Sequence, residues 1–267
     1  MQVLADDGTR IDACVDGSAA SRCVVLIHGF PFARTIWDAQ SDALARASRV
    51  VRLDLRGAGT SSVPDGPYLM ERLAADVATV LDALGIERAA LVGHSMGGYV
   101  ALAFARMFTE RVSRLALVAS RLGADTPEEA AARRELAVRT ELAGAIEPVV
   151  ETYLPRLLSR KTLAERADVV ERAYAIARQT SPVGAAATLR GAALRAASYD
   201  IAEDLAVPAL VIAGACDAVV PIGESRDVAQ RFARGELVEC AESAHLPMLE
   251  EPDRVGAALG SWLSANE

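Results

Sequence analysis

Apolar residues run unbroken through four short stretches of this chain, 23–27, 89–92, 115–119 and 209–213. A strand covered on one face alternates apolar with polar residues. One that is apolar at every position needs cover on both faces, which means a parallel sheet sandwiched between helices. Weaker strand patterns occur at 3–5, 11–15, 50–54 and 236–240, giving eight in all. The first two flank Asp6-Asp7-Gly8-Thr9, a hairpin turn signal. Helical spacing predicts helices over 36–46, 68–84, 98–107, 224–232 and 254–263, the second ending at Gly85. The βαβα order predicts a doubly covered, mostly parallel sheet.

The alternation stops after Ser120. No buried strand is legible from about 123 to 198. Ala-, Arg-, Glu- and Leu-rich segments fill this region, read as three to five helices broken at Pro127, Pro148, Pro155, Pro182 and Gly191. The chain therefore divides into a core of residues 1–120 and 201–267 and a helical insertion of residues 121–200. An insertion leaving the end of a strand lies over the carboxyl edge of the sheet, where open α/β sheets place their ligands. Its 12 basic and 11 acidic side chains are mostly solvated pairs. Its arginines, among them Arg121, Arg133, Arg134, Arg156, Arg160 and Arg178, include candidates for binding a substrate carboxylate, with none singled out.

Gly93-His94-Ser95-Met96-Gly97 joins strand 89–92 to the next helix. A G-x-S-x-G turn in this setting holds its serine in a strained conformation with the hydroxyl above the sheet. The glycines let strand and helix approach closely. The helix start aims free N–H groups and its positive dipole end at developing negative charge.

Bulk properties exclude other classes. With 267 residues, 52% of them hydrophobic, the chain suits one large α/β domain with a sizeable core. A net charge of -8 argues against nucleic acid. The first residues show no basic segment followed by an apolar one, and no 18-residue apolar run occurs, so a cytoplasmic chain with no membrane contact is expected. Cys14, Cys23, Cys216 and Cys240 lack CxxC spacing, and Cys23 and Cys240 read as buried thiols. The three histidines, His28, His94 and His245, are not at metal-ligand spacing, so neither a metal nor another cofactor is expected. Asp76 and Asp82 read as solvated or capping acids on a helix.

This arrangement resembles the α/β-hydrolase fold over nearly the whole chain. The resemblance implies a mostly parallel eight-stranded sheet flanked by helices, with an inserted helical cap. It also implies a Ser, Asp or Glu, His order of catalytic residues. Asp217, in Gly214-Ala215-Cys216-Asp217, follows strand 209–213 where the family places its acid. His245, in Ser243-Ala244-His245-Leu246-Pro247, follows strand 236–240 where it places its histidine, and Glu250-Glu251-Pro252 also matches. The chemistry requires these types. A serine hydroxyl needs a base to take its proton, imidazole can take and return it, and a carboxylate fixes the imidazole tautomer. Ser95 is thus the expected nucleophile, His245 the base and acid, and Asp217 the orienting carboxylate. The oxyanion donors expected are the N–H groups of Met96 and, by resemblance, Phe30. Pro31 has no N–H to offer. His28, His94 and Trp37 are candidate pocket residues, with buried structural roles as the alternative. The segment Asp54 to Ser61 resembles the family's D-x-R-G-x-G-x-S loop and reads as structural.

Ile27-His28-Gly29-Phe30-Pro31, Trp37 and the serine turn look most like 3-oxoadipate enol-lactonases, small carboxylesterases and cofactor-free perhydrolases. Epoxide hydrolases and haloalkane dehalogenases carry aspartate where this chain has Ser95. Two departures from the pattern are Ser243, in place of a glycine, and Cys216 beside the acid. The expected reaction is hydrolysis of a small ester or lactone through an acyl-serine intermediate, by a monomer or homodimer. Alternatives are C–C bond hydrolysis of the meta-cleavage type, a perhydrolase or haloperoxidase activity, and a non-catalytic ligand receptor.

Overall fold

The computed structural model describes residues 1–265. Strands β1 (Gln2–Leu4), β2 (Arg10–Asp16) and β3 (Cys23–Ile27) come first. A 3₁₀ turn (Arg34–Trp37) leads into α1 (Asp38–Leu44), followed by β4 (Arg49–Leu53), α2 (Met70–Ala83), β5 (Ala89–His94), α3 (Met96–Met107) and β6 (Val112–Val118). Five helices intervene: α4 (Pro127–Ala143), α5 (Glu147–Leu157), α6 (Arg160–Glu165), α7 (Ala167–Ala177) and α8 (Pro182–Ala192). The chain ends with α9 (Tyr199–Asp204), β7 (Ala209–Gly214), α10 (Ile222–Arg231), β8 (Gly235–Cys240), α11 (Pro247–Glu250) and α12 (Pro252–Ser264).

The eight strands form one sheet in the order β1-β2-β4-β3-β5-β6-β7-β8. β1 and β2 pair antiparallel, as do β2 and β4, and every other pairing is parallel. The apolar strands are covered on both faces, as their composition requires. In β3, Val25 and Ile27 join a core layer with Leu73 and Val77 of α2 and Val100 and Phe104 of α3. Val24 and Leu26 face the opposite layer with Leu44 of α1 and Val255, Leu259 and Trp262 of α12. Side chains at successive strand positions point to opposite faces, so one run of five apolar residues fills two cores.

The helices between β6 and β7 sit on the loops at the carboxyl ends of the parallel strands. Thr180 Oγ1 donates to the Pro31 carbonyl after β3, at 2.8 Å. Ser181 N–H donates to Gly57 after β4, and His245 N–H after β8 donates to Leu157. Three of the prolines expected to break helices begin them instead. Pro127 and Pro182 start α4 and α8, and Pro148 lies in the first turn of α5, where a missing N–H loses no intrahelical bond. Pro155 is within α5, and Gly191 within α8. A Cβ at Gly191 would lie 1.7 Å from the Tyr68 carbonyl oxygen, so glycine there permits close packing rather than ending the helix.

Asp76 is not solvated. It is fully buried on α2, where Arg56 Nε and an Arg56 terminal nitrogen donate to its two oxygens at 2.6 and 2.7 Å, and Arg72 at 2.9 Å. Those charge-assisted bonds compensate the lost hydration. Asp82 is exposed and pairs with Arg111. The Asp54-to-Ser61 loop is structural: Asp54 accepts from Arg34 and Thr60, and Ser61 Oγ donates to the Asp54 carbonyl. No helix among the described residues is long and apolar enough to cross a membrane.

Candidate functional site

Ser95 sits between β5 and α3 with φ 49° and ψ −115°, a conformation that costs a non-glycine residue about 1–3 kcal/mol. Three hydrogen bonds hold it there. Its N–H donates to the Val118 carbonyl at 2.8 Å, and its own carbonyl accepts from Gly98 N–H at 2.9 Å and Ser120 Oγ at 2.8 Å. The turn is tight enough to exclude side chains on either side. A Cβ at Gly93 would lie 2.3 Å from the Gly97 carbonyl oxygen, and one at Gly97 would lie 2.3 Å from that of Ile27.

Loops after β7 and β8 bring the other two expected residues to Ser95. His245 Nε2 is 2.9 Å from Ser95 Oγ, and His245 Nδ1 is 2.7 Å from Asp217 Oδ2. Asp217 Oδ1 accepts the Val219 and Val220 N–H groups at 2.7 and 3.0 Å, which fixes the carboxylate plane. An ionised carboxylate only accepts, so the imidazole proton is assigned to Nδ1. That leaves the Nε2 lone pair facing the serine hydroxyl. Asp217 and His245 are both buried, whereas Ser95 is half-buried.

The serine opens into a cavity of about 420 Å³. Phe30, Met96, Leu136, Leu157, Leu189 and Val219 make an apolar lining, and Tyr99 and Tyr153 add polar tips. α3 begins at Met96, so its first N–H groups lack intrahelical acceptors, and both Met96 and Phe30 border the cavity beside Ser95. Arg121, Arg133, Arg139 and Arg156 also line it, against Glu129 and Glu135. Arg133 is tied down by Asp125, which also holds Arg195 at 2.6 Å. Arg121 donates to the Val219 carbonyl of the acid loop and pairs with Glu129. Of the other arginines singled out in the insertion, Arg178 pairs with Glu147, and neither it nor Arg134 nor Arg160 lines this cavity.

His28, His94 and Trp37 do not line this cavity. They are buried behind it. His28 Nδ1 contacts the Gly29 carbonyl at 3.0 Å and its Nε2 accepts Leu55 N–H at 3.0 Å, so a neutral ring braces the loop after β3. His94 Nε2 lies 3.0 Å from the His245 carbonyl, to which it must donate. Burial, reinforced by neighbouring His245, pushes the His94 pKa well below its ordinary value, and burial lowers that of His28 too. Trp37 packs edge-on against His94, with ring centroids 6.4 Å apart. Their residue types suit a pocket equally well. Only burial separates the two roles.

Two participants carried weak sequence signals. Ser120, a lone polar residue closing an apolar strand, supports the serine turn. Glu250, two residues before Pro252, bonds to the histidine loop. Among the described residues, no group of three or more His, Cys, Asp or Glu side chains stands ready to hold a metal ion.

Residues 22–252 match the sequence profile of the alpha/beta hydrolase fold. An esterase from Thermogutta terrifontis, solved with malate bound, superposes with a TM-score of 0.94 at 35% identity, covering 98% of this chain and 97% of that one. The enol-lactonase from Burkholderia xenovorans LB400 gives a TM-score of 0.91 at 28% identity, covering 99% of this chain and 100% of its own. 3-oxoadipate enol-lactonase 2 of Acinetobacter baylyi is 28% identical over 84% of this chain and 82% of its own length.

Proposed function

The chain belongs to the alpha/beta hydrolase fold family, and within it we propose a serine hydrolase that cleaves a small ester or lactone through an acyl-Ser95 intermediate. The observation that carries this reading is the continuous line from Asp217 through both nitrogens of His245 to Ser95 Oγ, with bonds of 2.7 and 2.9 Å. Ser95 Oγ attacks the carbonyl carbon while His245 Nε2 takes its proton. Asp217 stabilises the imidazolium that forms. The oxyanion is met by the N–H groups of Met96 and Phe30, each worth about 3 kcal/mol of transition-state stabilisation. Collapse breaks the bond to the alcohol oxygen, which leaves with the Nε2 proton. Water then attacks the acyl carbon, giving its proton to Nε2, and that proton returns to Ser95 as the acid departs. No step calls for a bound cofactor.

Helices α4 to α8, in residues 121–200, act as the cap in this reading, and they supply most of the cavity wall. Arg139 and Arg156 reach that wall from α4 and α5. They favour substrates with a negative charge away from the scissile bond. The enol-lactonase and esterase relatives support the ester and lactone class.

Hydrolysis of p-nitrophenyl acetate and butyrate by the wild type beside Ser95→Ala tests the mechanism. The expected result is turnover that vanishes in the variant. Full turnover by Ser95→Ala would sink it.

A further inference from the structure

We propose that Glu250 is a positioning residue for His245, fastening the histidine loop to the junction between α5 and α6. The inference rests on His245 being the base. Glu250 is buried, and its two oxygens serve different parts of the molecule. Oε1 accepts the N–H of Ala244, the residue before the histidine, at 2.8 Å. Oε2 accepts Ser159 N–H at 2.9 Å and Thr162 Oγ1–H at 2.7 Å, both at the start of α6. Alongside this bridge, His245 N–H donates directly to the Leu157 carbonyl at the end of α5, at 3.0 Å. Two consecutive peptide N–H groups of the histidine loop are therefore held by the helical layer, one directly and one through Glu250. The His245 carbonyl is held from behind by His94.

Those bonds fix the direction in which the His245 side chain leaves the backbone. The Asp217 contact does not do this by itself, because it holds the imidazole ring at Nδ1 and leaves the peptide free. A carboxylate suits the bridge because three donors converge on it and it has none of its own. Glutamine would turn an NH₂ group against one of those donors. Leu157 also lines the cavity, and α5 contributes Thr152, Tyr153 and Arg156 to the same wall. The helical segment that meets substrate is thus the one that sets the base. Seating of this junction governs kcat.

The test compares Glu250→Gln, Glu250→Asp and Thr162→Val with the wild type. It measures steady-state hydrolysis of p-nitrophenyl butyrate, thermal melting, and the low-field proton resonance of His245 Nδ1–H. Displacing a catalytic group by a fraction of an ångström to one ångström lowers kcat by about 10- to 100-fold, and that is the fall expected for Glu250→Gln, with KM little changed. Glu250→Asp should recover part of it. Thr162→Val, which removes one donor and leaves the Ala244 bond, should show a smaller fall. The low-field resonance should shift or broaden in each affected variant. A folded Glu250→Gln with wild-type kcat overturns the proposal. So does a loss of activity that tracks melting temperature with the resonance unmoved, because that marks a merely structural carboxylate. If Glu250→Gln does not fold, Thr162→Val decides alone by the same criteria. The resonance reads the loop without any substrate, so the proposal and the acyl-serine mechanism can fail separately.

Discussion

The sheet and the helical layer above it are built on different principles. Leu26, Val92, Leu117 and Val211 are almost wholly buried in their strands, and their neighbours are apolar on both sides. The helices α4 to α8 contribute apolar side chains too, but charged pairs run through and around them: Asp125 with Arg133 and Arg195, Glu141 with Arg190, and Asp168 with Arg166. Their seams with the loops below combine apolar packing, as where Phe30 meets Tyr153 edge-on, with hydrogen bonds at Thr180, Ser181 and Leu157. A shape made by continuous apolar packing is rigid and tolerates few substitutions. Exposed charged pairs such as Glu141 with Arg190 contribute little to stability, so the outer side of the helical layer can change its sequence at small cost. The difference separates what fixes the proposed chemistry from what would choose the substrate.

Substitutions in the two regions should therefore fail in different ways. The largest effect is expected at the strand-end loops. Asp217→Asn keeps the geometry but reverses the hydrogen bonding at Nδ1, and kcat should fall about 10⁴-fold, measured with p-nitrophenyl butyrate. A loss of tenfold or less would remove Asp217 from the role of orienting carboxylate. Next comes packing. Leu26→Ala in β3 should destabilise by about 2–5 kcal/mol in urea melts. Replacing exposed Arg166 on the helical layer should leave the melting midpoint where it was, and equal destabilisation by both would erase the contrast.

How far these regions could be read from sequence follows the same division. Apolar strands announce themselves residue by residue and the weaker patterns completed the eight, while Ser95, Asp217 and His245 were picked out by the resemblance to the family, from the strand ends they follow. Partner choice among polar groups was not legible. Arg56 and Asp76 are 20 residues apart, and only folding brings them together, so Asp76 read as solvated. His28, His94 and Trp37 show the same limit, because a histidine bracing a loop and one lining a pocket are the same letter. Glu250 stood in a recognisable segment, yet its work lies with Ser159 and Thr162, about 90 residues earlier by the sequence itself. Pro127, Pro148 and Pro182 stood at helix boundaries but open helices rather than end them, and Pro155 lies inside one.

Smaller effects sharpen the contrast further. His94 is held neutral by burial, with a folded pKa below the ordinary 6.5. As pH falls, the unfolded chain takes up the proton first, so this contribution to stability is complete above about pH 6.5 and is lost progressively below it. Melting temperatures across about pH 7.5 to 5 should fall less steeply for His94→Asn than for the wild type. Identical slopes would show that the ring is protonated without penalty. The smallest effect is expected at the cavity rim. Arg156 is exposed, so Arg156→Ala should raise KM for an ester bearing a carboxylate about two- to fivefold, leaving that for a neutral ester unchanged. An equal rise for both would assign Arg156 to packing rather than charge recognition.

The proposed mechanism requires a covalent acyl-enzyme at Ser95. Turnover of p-nitrophenyl butyrate quenched in acid, followed by intact and peptide mass spectrometry, reads it directly. The predicted result is a butyryl mass added to the peptide carrying Ser95 and absent from Ser95→Ala. An adduct on another residue, or sustained turnover by Ser95→Ala, would contradict it.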